Sequence, residues 1–142
     1  MKAILWATAA LIAMPLSAVA QGDAAAGEKV FKQCQTCHVV VNDAGETLAG
    51  MKAKVGPNLY GVPGRTAGTV EGFKYSKYMV EAGEAGLAWN EDDFVAYSQD
   101  PSKFLQGYLD DSKARGNMTF KVRKEEDARD VWAFLVSLSP QD

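Results

Sequence analysis

The chain has very little sulfur and imidazole chemistry to work with. Among its 142 residues there are two cysteines, Cys34 and Cys37, and one histidine, His38. Every soft metal ligand except methionine therefore lies within five consecutive positions. An excess of positive charge is missing too. Lysine and arginine number 15 against 18 acidic residues, for a formal charge of −3. That is the wrong sign for a surface that tracks nucleic acid along its whole length. Strand patterning is scarce, with Val39 to Val41 the one β-branched run, which points to an all-α class with long loops. The length and the 47% hydrophobic content suit one ordinary globular domain and exclude a multidomain machine.

What is present begins with a leader. Lys2, the apolar run from Ala3 to Ala13 and the small residues Ala18-Val19-Ala20 have the three parts of a cleavable secretory signal. A membrane anchor would need about 20 apolar residues, and this run is interrupted by Pro15 and Ser17. Residues 1–20 are thus expected to be removed, leaving one domain over 21–142 with a formal charge of −4. The mature protein is expected in the periplasm, an oxidising compartment where a free thiol pair does not ordinarily persist.

Along the rest of the chain, Asp23 is a good N-cap for a helix running to about Thr36, with Cys34-Gln35-Thr36-Cys37-His38 at its end. Residues 39–72 are rich in glycine, proline and asparagine and read as loop. Tyr75, Tyr78, Met79 and Ala82 recur at helical spacing, Asn90 caps a further helix that Pro101 stops, and 102–123 reads as irregular. A last helix is expected over Lys124 to Ser139, with Ala128, Val131, Trp132, Leu135 and Leu138 on one face. So few helix faces cannot cover one another around such long loops, and a large apolar cofactor would fill the centre.

Cys34-x-x-Cys37-His38 is the pattern of c-type haem attachment. Thiols three positions apart on a helix end lie on one side and can form thioethers with two vinyl groups, while the next residue offers an imidazole to the iron. Structural zinc wants four ligands, and only three are here. A thioredoxin-like pair needs a preceding strand and a βαβ frame, and neither is visible. A plain disulfide would leave the glycine-rich loops with nothing to wrap. An open-site haem enzyme or gas sensor is the chief rival, and no distal histidine or arginine pair is placed for peroxide chemistry. The second axial ligand must come from Met51, Met79 or Met118. Met79 sits on an apolar face and reads as core filler. Met51 lies in a polar loop. Met118, in Gly116-Asn117-Met118-Thr119-Phe120, is the better placed of the three.

With these motifs in view the chain resembles class I cytochrome c, most closely the bacterial cytochrome c2 type, over essentially all of its mature length. Gly56-Pro57-Asn58-Leu59-Tyr60-Gly61 and Gly64-Arg65 look like two further family segments. The resemblance implies a fold with crossing N- and C-terminal helices around one covalent haem c. It implies His38 and Met118 as axial ligands and Cys34 and Cys37 as the thioethers. It assigns Pro57 a carbonyl that accepts from the histidine, Arg65 the support of a buried propionate, and Tyr75 and Trp89 hydrogen bonds to propionate. Tyr97 would lie near the methionine sulfur and Phe120 at the haem edge. Gly27 and Phe31 would meet Val131 and Phe134 at the helix crossing.

The implied activity is one-electron transfer by a monomer without a stable membrane anchor, and not enzymatic turnover. Its partners would be a cytochrome bc1 complex as donor and a photosynthetic reaction centre or cytochrome oxidase as acceptor. They would meet a lysine-rich haem edge drawn from Lys32, Lys52, Lys54, Lys103, Lys113, Arg115, Lys121, Arg123 and Lys124. The loops 39–55 and 102–117 are longer than in the most compact relatives.

Overall fold

A computed structural model describes residues 21–140; the expected leader, residues 1–20, lies outside the described residues. The elements in chain order are α1 (Ala24–Phe31), β1 (Val40–Val41), β2 (Thr47–Ala49), α2 (Lys77–Glu84), α3 (Glu91–Gln99), α4 (Pro101–Leu109) and α5 (Glu125–Leu138). The frame is the crossing of α1 on α5. At Gly27 the two backbones approach so closely that a Cβ would overlap the Asp130 carbonyl oxygen. One turn further on, the Phe31 and Phe134 rings meet with centroids 5.4 Å apart, and Val131 is buried beside them. The entry to α1 is fixed twice: Asp23 Oδ1 accepts from the Ala25 and Ala26 amides, and the buried Asp130 carboxylate accepts the Asp23 N–H at 2.7 Å. These bonds satisfy donors that a helix N-terminus leaves unpaired.

Helix α1 is shorter than its sequence suggests. Regular helix ends at Phe31, and Lys32 to Cys37 continues as turns. There Gln33, Cys34 and Cys37 donate to carbonyls three residues back, while Gln35 and His38 reach back four. The tighter three-residue bonds change the winding and carry the cysteines off the helix proper. The other difference is α4, in a stretch expected to be irregular. Pro101 does end α3, but it also opens α4, because a proline lacks only an N–H that the first helical position would leave unpaired. Asp100 caps the new helix by accepting from the Lys103 amide at 3.1 Å. Pro101 and Leu105 are its buried residues, and Asp110 ends it in a left-handed conformation, φ 50°.

The β-branched run becomes a two-stranded antiparallel ribbon with Val40 opposite Ala49 and Val41 opposite Thr47. Asn58 continues its edge, accepting from the Val41 N–H at 2.9 Å and donating to the Val41 carbonyl at 2.8 Å. Further along, Gly64 and Ala67 donate to the carbonyls of Trp89 and Leu87, and Trp89 donates to Arg65. Two segments of loop are thereby zipped together with Arg65 and Trp89 side by side. Residue 83 must be glycine for α2 to reach this zipper, since a Cβ there would overlap the Ala67 carbonyl oxygen. Arg129 on α5 ties the acidic start of α3 down, bonding Glu91 at 3.0 Å, Asp92 at 3.4 Å and its own-helix Glu125 at 2.8 Å.

Two glycines give opposite expectations. Gly27→Ala should destabilise by about 3 kcal/mol, because a methyl against backbone cannot be relieved by a rotamer change. Gly107→Ala, exposed on α4 with open space where its Cβ would go, should stabilise by about 0.5–1 kcal/mol. Denaturant unfolding of both variants checks the pair.

Candidate functional site

The turns after α1 bring Cys34, Cys37 and His38 to one cavity of ≈ 390 Å³. Both cysteines are free and half-buried. Burial, and secondarily the neighbouring Cys37 sulfur, pushes the Cys34 thiol up to about 11. It is therefore protonated at neutral pH, unlike the thiolate of a disulfide oxidoreductase.

His38 is held in one tautomer. Its Nδ1 lies 2.9 Å from the Pro57 carbonyl oxygen, which can only accept, so Nδ1 carries the proton and Nε2 keeps its lone pair. Burial lowers the imidazole below its usual range, with the Pro57 bond opposing in part, so the ring is neutral at pH 7. The loop that presents Pro57 is fastened by Gly56 N–H to the Cys37 carbonyl (2.7 Å) and Leu59 N–H to the Val39 carbonyl (3.0 Å). Position 56 has no room for a side chain, since a Cβ there would stand 2.6 Å from His38 Nδ1.

Arg65, Tyr75, Trp89, Tyr97, Met118 and Phe120 line the same cavity. Arg65 donates to the Tyr60 carbonyl at 2.9 Å and to the Asn58 carbonyl at 3.1 Å. Burial lowers its pKa somewhat, yet a guanidinium stays charged. It makes no ion pair among the described residues. The Tyr75 hydroxyl accepts from the Val70 amide at 3.3 Å and keeps its own proton to donate. Trp89 is 8% exposed, with its ring 5.2 Å from that of Tyr97. Burial raises the Tyr97 phenol to about 12. Its hydroxyl abuts Gly116, where a Cβ would stand 3.2 Å away, two residues before Met118. Phe120 is 44% exposed.

The other methionines are placed as their surroundings in the sequence suggest. Met79 is core, 6% exposed, although it also touches the cavity, and Met51 is 71% exposed and outside it. Several contributors to the site were not singled out from the sequence. Asn58 orients the Pro57 loop through its side chain and receives Arg65 on its carbonyl; an asparagine directly after a glycine-proline turn was the available signal. Leu59, Val62, Phe94 and Val131 supply apolar wall. Lys121, expected to be free at a basic edge, is paired with Asp100 at 2.7 Å.

Among the described residues no group of three or more histidine, cysteine or carboxylate side chains is placed to hold a bare metal ion, and one free imidazole nitrogen with one thioether falls short of the four ligands that such an ion takes. They suit a metal that arrives in its own planar chelate. The two thiols suit covalent attachment, and the unpaired cation with the Tyr75 and Trp89 donors suits an anionic substituent on an otherwise apolar group. These features are consistent with the attachment of a c-type haem and suit a small all-α protein of the kind that carries one.

The cytochrome c family model matches residues 24–139. Among curated relatives, the cytochrome c2 of Rhodovulum adriaticum is 67% identical over 117 residues, covering 82% of this chain and 93% of that protein. The cytochrome c2 of Cereibacter sphaeroides is 59% identical over 132 residues, covering 92% and 90%. The crystal structure of cytochrome c2 from Rhodobacter sphaeroides superposes with a TM-score of 0.83 at 58% identity, covering 86% of this chain and all of that one. The chain belongs to the cytochrome c family, as a class I member closely related to the bacterial cytochromes c2.

The buried Tyr97 phenol leads to a pH prediction. With its pKa raised from the ordinary 10 to about 12 in the folded state, folding binds the proton more tightly. That contribution is fully present below pH 10 and is lost as pH rises toward 12. Tyr97→Phe should remove this part of the alkaline loss of stability, at most about 2–3 kcal/mol. Unfolding free energies of parent and variant between pH 9 and 12 are the measurement, and parallel curves would exclude it.

Proposed function

We propose that the protein is a soluble periplasmic one-electron carrier in which Cys34 and Cys37 hold haem c by thioether bonds while His38 and Met118 are its axial ligands. The observation that carries this reading is the convergence on one cavity of both thiols, a histidine whose Nε2 is left free by the Nδ1 bond to Pro57, and Met118. When bound, haem c supplies a one-electron ferric/ferrous couple. The protein's part would be to hold the group through Cys34, Cys37, His38 and Met118 within an apolar lining. Pro57 fixes the imidazole and raises its basicity. The Met118 thioether favours the ferrous state and so a higher potential. Arg65, Tyr75 and Trp89 would offer a haem carboxylate one charge and two donors, as burying an anion requires. Tyr97 packs near the methionine loop and Phe120 covers the edge.

Residues 1–20 are proposed as the leader that sends the chain to the periplasm, with 21–142 as the mature domain. No helix among the described residues is long and apolar enough to cross a membrane. Partners are membrane redox complexes. In finer detail we propose a cytochrome bc1 complex as donor and a photosynthetic reaction centre or cytochrome oxidase as acceptor, approached through the lysine-rich edge. Such a carrier needs fast binding and fast release, which favours a small interface with electrostatic steering. Exposed Met51 and Val55 beside Lys52 and Lys54 offer an apolar contact with a basic rim next to the attachment turns.

The absorption spectrum of the exported protein tests the ligation. A c-type ferrous spectrum, a weak far-red methionine-sulfur band in the ferric form and little response to carbon monoxide or imidazole are expected. Met118→Ala should abolish the far-red band, lower the potential and admit external ligands; an unchanged potential and ligand response would transfer the role to Met79 or Met51. A colourless protein from cells equipped for haem attachment would end the reading.

Steering is tested by neutralising Lys121 and Arg123 together, which should slow electron transfer to the membrane partner at low salt and matter little at high salt. Equal association rates at low ionic strength would reject the basic edge.

A further inference from the structure

One hydroxyl in the cavity wall has no partner in the protein. Ser98, on α3, is 4% exposed and lines the cavity. Its backbone carbonyl accepts from the Val122 N–H at 2.9 Å, but its side chain makes no hydrogen bond among the described residues. Serines on α5 turn their hydroxyls back to helix carbonyls, Ser137 to Phe134 at 2.6 Å and Ser139 to Leu135 at 2.7 Å. The equivalent carbonyls of Phe94 and Val95 do not receive the Ser98 hydroxyl, so it is turned elsewhere. Among the described residues no fully buried side-chain nitrogen or oxygen lacks a partner. The Ser98 oxygen, unpartnered in a buried residue, therefore touches open space, and the space this residue lines is the cavity. The wall around it is apolar. Phe94, one turn earlier on α3, and Val122, across the backbone bond, line the same cavity, and Val95 and Val122 pack with Ala128 in a small buried cluster. A lone hydroxyl in such a wall is unfavourable until something in the cavity meets it.

We infer that Ser98 helps to set the reduction potential of the group held in the cavity, its hydroxyl dipole favouring the oxidised, more positive state. The inference rests on haem c occupying the cavity, as proposed above. Loss of one electron raises the charge of such a group by one unit, and an apolar lining responds poorly to that change. A hydroxyl with no bond to the protein is free to rotate, and it turns its oxygen toward the added positive charge. Ser98 thus acts in the opposite sense to the Met118 thioether, which favours the ferrous state. No bond forms or breaks and no proton moves when the electron is exchanged; the hydroxyl changes only the driving force.

The test measures the midpoint potential and visible spectrum of the haem-loaded parent and of Ser98→Ala, Ser98→Val and Ser98→Thr. Valine and threonine have nearly the same shape and differ by the hydroxyl, so comparing them separates the dipole from the volume. Ser98→Ala should move the ferric/ferrous equilibrium roughly two- to fivefold toward the ferrous form. That corresponds to a rise of about 20–40 mV, a tenfold change being about 59 mV for one electron. Ser98→Val should also lie above the parent, and Ser98→Thr close to it. The far-red methionine band should be present in every variant. The unfolding midpoint of Ser98→Ala should stay level or rise, because no bond within the protein is lost.

An unchanged potential in Ser98→Ala would overturn the inference. Equal shifts in the threonine and valine variants would also overturn it, since volume and not the hydroxyl would be the cause. Loss of the methionine band or a fall in the unfolding midpoint of Ser98→Ala would do so in favour of a structural role. Each of these outcomes, with a c-type spectrum in the parent, leaves the haem reading standing. A parent without that spectrum would remove both.

Discussion

The hydrogen bond from His38 Nδ1 to the Pro57 carbonyl is the constraint on which the other arrangements converge. It decides which imidazole nitrogen faces the cavity, and it demands that two distant parts of the chain meet at 2.9 Å. Each requirement propagates. Gly56 must lack a side chain, because the histidine ring occupies that space. Asn58 must hold the loop against β1, which explains why a short ribbon survives in an otherwise helical protein. The Asn58 and Tyr60 carbonyls, fixed by the same loop, then receive the Arg65 guanidinium. One hydrogen bond to the histidine thus organises a loop, a ribbon and a buried cation.

A second dependence runs through the core. The helices other than α5 are eight or nine residues long, too short to be stable alone in water. Among the described residues the α1–α5 crossing is the most extensive helix–helix contact, with the backbones in touch at Gly27. Part of the remaining apolar surface, including Leu59, Val62, Phe94 and Val131, faces the cavity. An apolar group attached there replaces the missing helix faces, so its binding adds to folding stability by mass action and, once covalent, cannot be diluted away.

The sequence exposed this architecture unevenly, for physical reasons. The C-x-x-C-H motif was legible because five consecutive residues carry all of its chemistry, and the α1–α5 crossing because the resemblance to class I cytochrome c matches Gly27 and Phe31 to positions that meet Val131 and Phe134. Asn90 was legible as a cap since its bond to Asp93 is local. The end of α1 was not, because the change from helix to tighter turns leaves no breaker in Lys32–Cys37. Helix α4 was hidden by a proline that ends one helix and starts the next, an ambiguity that the Asp100 cap resolves only in three dimensions. Asn117 to Lys74 and Asp130 to Asp23 span 43 and 107 positions, and no local pattern predicts such partners.

Charge shows the same limit. Read along the chain, Lys121 belongs to a run of basic residues around the methionine loop. In space its partner is Asp100, so it contributes less free positive charge to an approaching protein than its neighbours Arg123 and Lys124. Arg129 likewise disappears into a cluster with Glu91, Asp92 and Glu125. Steering depends on the field left after such pairings, not on the count of lysines.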